Sequence, residues 1–197
     1  MTMTRTRLIR DQRGAVAVEF AVIGALLLFV LLTIIKFGLD FFWIKSLEKA
    51  AQFGGRMAVV STPAAAGLPE RNGLTEGALY GYPCRDESNP CIGFDPAECQ
   101  GDGCVAAPFN VIFNRMDGIA PFLEPANVTL RYEYAGLGFA GGPIVPVVTV
   151  TISGVANPLG PMNLYALLGG GGAGQFNTLP DFRATLTGED LSSAAVP

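Results

Sequence analysis

Residues 13–36 read RGAVAVEFAVIGALLLFVLLTIIK, and this stretch decides the architecture of the chain. From Ala15 to Ile35 it is apolar except for Glu19 and Thr33, and Lys36 closes it. At 1.5 Å per residue the run makes about 31 Å of helix, the thickness of a bilayer's hydrocarbon core. An acid in such a run costs on the order of 3 kcal/mol on insertion scales, so Glu19 is expected to be functional and to meet a cation from elsewhere. Cleavage after Gly14 would supply one, because the new α-amine on Ala15, with a pKa of about 8, is mostly protonated at neutral pH. Ala15, Ala17, Ala21, Gly24 and Ala25, with Phe20 among them, would let a neighbouring helix approach closely.

The segment Arg13-Gly14-Ala15-Val16-Ala17-Val18-Glu19-Phe20-Ala21, then Ile34-Ile35-Lys36-Phe37-Gly38 and Leu47-Glu48-Lys49-Ala50-Ala51-Gln52-Phe53-Gly54-Gly55-Arg56, carries a family signature. It resembles the TadE-like pseudopilins of tight-adherence (Flp-type) pilus systems, over roughly residues 10–60. The resemblance implies that a prepilin peptidase cuts between Gly14 and Ala15, and that Glu19 sets subunit register against the Ala15 amine of a neighbour. It also implies partners: the peptidase, other pilins or pseudopilins, and an assembly platform with its ATPase. Lys36 departs from the pattern, which more often has an acid there.

With 197 residues, 50% of them apolar, the chain has room for one membrane segment and one modest domain. Residues 1–13 hold four Arg and one Asp, net +3, whereas residues 61–197 hold five Arg and thirteen acids, net −8. An acidic domain without a basic patch excludes nucleic-acid binding as a reading. Four basic residues precede the apolar run and four follow it, so the positive-inside count is a tie. The cysteines break it: Cys84, Cys91, Cys99 and Cys104 all follow the helix, as expected for disulfides in an oxidising compartment. The head is therefore expected on the cytoplasmic side of a bacterial inner membrane and the domain on the periplasmic side. A secretory signal fits poorly, since the apolar run exceeds the usual h-region and no small-x-small site follows closely.

The organisation expected is a basic leader over 1–14, a helix over 15–60 and an α+β periplasmic domain over 61–197. Phe37, Phe41, Ile44, Leu47 and Ala51 recur at helical spacing beyond the membrane run, so its second half is an amphipathic continuation. Gly54-Gly55 weakens this helix and Pro63 ends it. Ser61 to Thr75 reads as a connecting loop, and Pro108 to Met116 as a second helix ended by Asp117-Gly118. Val128–Tyr134 and Val147–Ser153 read as an antiparallel pair, Phe182–Thr187 as a further strand, and the tail beyond it as frayed. The fold class is thus α+β and pilin-like, a long helix followed by a small antiparallel sheet.

The cysteine gaps lack the C-x-x-C pairs of zinc sites, so two disulfides pinning the 84–104 loop are expected, with three connectivities open. Asp86, Glu87, Asp95, Glu98 and Asp102 lack the ligand alternation of a calcium loop and read as solvated surface. Gly169 to Gly174 formally satisfies G-x-G-x-x-G with Glu189 beyond, but a glycine run matches any glycine motif and reads as a loop. With no histidine, Ser-His-Asp and Cys-His catalysis is excluded. No enzyme activity, cofactor, metal or small-molecule substrate is expected. The competing reading is an uncleaved single-pass tether carrying a periplasmic binding or scaffold module.

Overall fold

Nothing interrupts the helix where the apolar run ends. A computed structural model describes residues 13–158 and 177–188, and there α1 runs unbroken over Arg13–Val60, 48 residues. That is about 72 Å of rod at 1.5 Å per residue. Residues 1–12 of the expected leader, the Gly169–Gly174 stretch, Glu189 and the tail lie outside the described residues.

The domain is a four-stranded antiparallel sheet packed on the second half of that rod. Strands β3 (Ala97–Gln100), β4 (Val128–Tyr134), β5 (Pro146–Ile152) and β6 (Phe182–Thr187) lie in that order. A two-stranded ribbon, β1 (Gly73–Leu74) with β2 (Cys91–Ile92), forms a separate small lobe. The second helix, α2, spans Ala106–Asp117, two residues earlier and one later than Pro108 to Met116. Pro108 sits in its first turn, where its missing N–H costs no helical bond.

Strand alternation dictates which face is buried. Val128, Leu130 and Tyr132 of β4 and Val148, Val150 and Ile152 of β5 are solvent-free, while Thr129, Arg131 and Glu133 point the other way. The register sets Tyr132 opposite Val148 and Val148 opposite Leu186. On the outer face the Thr149 and Thr185 hydroxyls are 3.1 Å apart. Helix α2 contributes Phe109, Ile112 and Met116 to the same core.

The Ser61–Thr75 connection is irregular except for β1. At its start the Ala64 N–H donates to the Tyr132 hydroxyl at 3.1 Å, tying the end of α1 to the sheet. Burial pushes the Tyr132 phenol pKa up, and the hydrogen bond from Ala64 only partly opposes that shift.

The cysteines do not pin one loop. Cys84 joins Cys91 inside the small lobe, where Ala140 packs against them, and Cys99 joins Cys104 in the main core. The first closes the lobe that holds β2; the second ties β3 to the approach of α2. In the lobe, buried Asn72 donates from Nδ2 to the carbonyls of Phe139 (3.2 Å) and Pro143 (3.3 Å), holding a glycine-rich turn. Gly138 and Gly141 in that turn have φ of +89° and +73°, a conformation that L side chains rarely adopt.

Candidate functional site: the membrane-length helix and its junction with the domain

Among the described residues, nothing covers the first half of α1. Its most apolar window is wholly unburied, and Val16, Val18, Phe20, Ile23, Leu27 and Leu31 are exposed. The helix is long and apolar enough to cross a membrane.

Helical geometry sorts the residues singled out in this half. Ala15 and Glu19 are one turn apart on one side, and Ala17, Phe20, Ala21 and Gly24 fall on the other, with Ala25 at its margin. Glu19 is exposed, and among the described residues no cation pairs with it. Space for a Cβ is open at Gly14 and Gly24, so among the described residues no close contact requires either glycine.

The junction begins at Lys36, whose ammonium meets the Asp40 carboxylate at 2.7 Å, an i,i+4 pair. Asp40 Oδ1 also accepts from Asn157 Nδ2 at 3.5 Å, which brings the domain to the helix at that level. Three residues on, the Trp43 indole meets Phe122 edge-on with centroids 4.5 Å apart. Domain contact therefore starts near Asp40, later than the Phe37–Ala51 spacing implies. Phe37, below that level, is 73% exposed, and Phe41, on the side of the helix turned away from the domain, is 54% exposed.

From there two ridges, built mostly of small residues, carry the docking. Ser46, Ala50, Gly54 and Ala58 form one i,i+4 row; Leu47, Ala51, Gly55 and Val59 form the next, and all eight are buried. The first row faces α2: a Cβ on Gly54 would lie 2.5 Å from the Met116 sulfur. The second faces β6: a Cβ on Gly55 would lie 3.2 Å from Leu186 Cδ1 and 3.4 Å from Ala184 Cβ. Gly54-Gly55 thus continues the helix and grants its closest approach, although glycine propensity alone marks a weak point. The four-residue repetition of small side chains was the available signal.

Among the described residues no three His, Cys, Asp or Glu side chains converge as a metal site. A shallow recess of about 250 Å³ lies in the small lobe, lined by Thr75, Glu76, Leu79, Tyr82, Ser88 and Pro90. In its lining the Ser88 hydroxyl donates to Asp86 Oδ1 at 3.0 Å.

These features define a chain with a membrane-length apolar helix continued without a break into an α+β domain. The family model described as TadE-like protein matches residues 14–56, the helix alone. That likeness, over 43 of the 197 residues, points toward Tad/Flp pilus systems. No curated protein and no solved structure matches the chain.

Proposed function

We propose that the chain is a minor pseudopilin that takes part in assembling or priming a Flp/Tad-type adhesion pilus. A prepilin peptidase would remove residues 1–14 on the cytoplasmic side, leaving Ala15 as the mature N-terminus and the domain in the periplasm. The observation that supports this reading is Glu19, a lone acid on an unburied apolar helix whose family match is confined to that helix.

An apolar helix is already content in lipid, so packing and satisfied polar groups must drive association. Ala15 precedes Glu19 by four residues, about 6 Å of rise, so a neighbour offset by that amount sets its amine level with this carboxylate. A wrong stagger strands one charge in a low-dielectric core, which makes the pair a register device. Ala17, Ala21, Gly24 and Ala25 give adjoining helices room to close. Other pilins or pseudopilins and the assembly platform are the partners this mechanism requires.

The test is Glu19→Ala in cells carrying the pilus system. Membrane insertion stays intact and crosslinking to other pilus subunits falls; unchanged crosslinking removes the register role. A second reading, an uncut tether with a recognition module, draws on the small lobe, where Tyr80 is 77% exposed and Leu79 66%. In that case the chain keeps its first fourteen residues.

A further inference from the structure

Beyond the membrane run, the side of α1 turned away from its own domain has a character of its own. Phe41, Lys45, Lys49, Gln52, Phe53 and Arg56 form an exposed stripe at helical spacing. The Lys45 ammonium stands 5.6 Å from the Phe41 ring centroid, and the Arg56 guanidinium 6.0 Å from that of Phe53. Lys45 also pairs with Glu48 at 2.6 Å, but among the described residues no carboxylate pairs with Lys49 or Arg56. The stripe is cationic and aromatic on a chain whose residues 61–197 carry a net charge of −8.

Lipid is a poor occupant for it. The helix is continuous, so Arg56 lies twenty residues beyond Lys36, about 30 Å up the axis from the end of the apolar run. A protein surface of opposite charge fits better, and this chain carries one on its far side. Helix α1 packs on β5 and β6, which leaves β3 as the opposite edge of the sheet. Asp95, Glu98 and Asp102 are exposed along that edge and the turn after it, and among the described residues only Glu98 meets a cation there, Arg131 at 3.7 Å.

We propose that the Phe41–Arg56 stripe of one copy docks on the acidic β3 edge of a second copy of this chain. Because the two surfaces lie on different flanks of one molecule, the contact is heterologous and repeats into rows rather than closing a dimer. The biological setting rests on the pseudopilin reading, and the contact adds to it a defined neighbour outside the membrane.

A photo-crosslinking residue at Gln52 of the full chain, in its native membrane, tests this. The expected product is a ladder of multimers, with the crosslink mapped to residues 95–105 of a second copy. Lys49→Glu with Arg56→Glu should lower the yield about tenfold, and adding Asp95→Lys with Asp102→Lys to the same chain should restore it. Non-reducing peptide maps that retain both disulfides show that the variants still fold. A crosslink to lipid, to a different polypeptide or to another part of the second copy overturns the proposal, as does a yield indifferent to the reversals. A processed chain without this crosslink sinks the docking alone, whereas an unprocessed chain that still gives it sinks the pseudopilin reading alone.

Discussion

Gly54 of the long helix lies against Met116 so closely that a methyl group on its α-carbon would meet the sulfur at 2.5 Å. Met116 is itself solvent-free, so it has nowhere obvious to move. Helix propensity favours replacing Gly54 and packing forbids it. Gly54→Val is expected to destabilise the domain by about 1–3 kcal/mol, the usual cost of overpacking, against a propensity gain of under about 1 kcal/mol. Urea unfolding in detergent, read by near-UV circular dichroism, reports the sign; a stabilised variant would refute the close-packed junction.

Tyr132→Phe removes the acceptor for the buried Ala64 N–H while keeping the ring, with an expected cost of about 1–3 kcal/mol. It also changes the alkaline limb of stability. The phenol pKa is raised in the folded state, so its contribution is complete below the ordinary value of 10.0 and is lost as pH rises from there through the folded value. The wild-type chain should lose stability faster than Tyr132→Phe above pH 10. Parallel curves for the two chains across that range would contradict the burial of this hydroxyl.

Peptide mapping under non-reducing conditions should return Cys84 linked to Cys91 and Cys99 linked to Cys104. The loops are short, so each bridge contributes about 2–3 kcal/mol in the chain-entropy account. Cys99→Ala with Cys104→Ala should lower global stability, since that bridge is part of the main core. Cys84→Ala with Cys91→Ala should loosen the small lobe first, read as faster exchange at the hydrogen-bonded amides of Thr75 and Ala140 with the sheet still protected. Equal protection losses in sheet and lobe would contradict the separation of the two clusters.

Much of this architecture is written in local patterns. The apolar run and the absence of proline up to Pro63 give α1, and β-branched alternation gives β4, β5 and β6 nearly to the residue. Strand β3 is harder to read because its inward residues are Ala97 and Cys99, small or weakly hydrophobic side chains that leave little pattern. Strands β1 and β2 are two residues each, too short for any period, and exist because Asn72 and the Cys84–Cys91 bridge hold their ends. Disulfide connectivity is a tertiary property that spacing leaves open. At the candidate site, Lys36 and Asp40 stand at legible i,i+4 spacing, whereas the meeting of Trp43 with Phe122 depends on a separation that no local rule reaches.

The most direct test is the intact mass of the mature chain, isolated from cells in which the prepilin peptidase is active. Processing after Gly14 would give a mass that begins at Ala15, with the free α-amine that pairs with Glu19 of a neighbouring subunit. A mass that still includes Met1 to Gly14 would contradict it, because no such amine would exist.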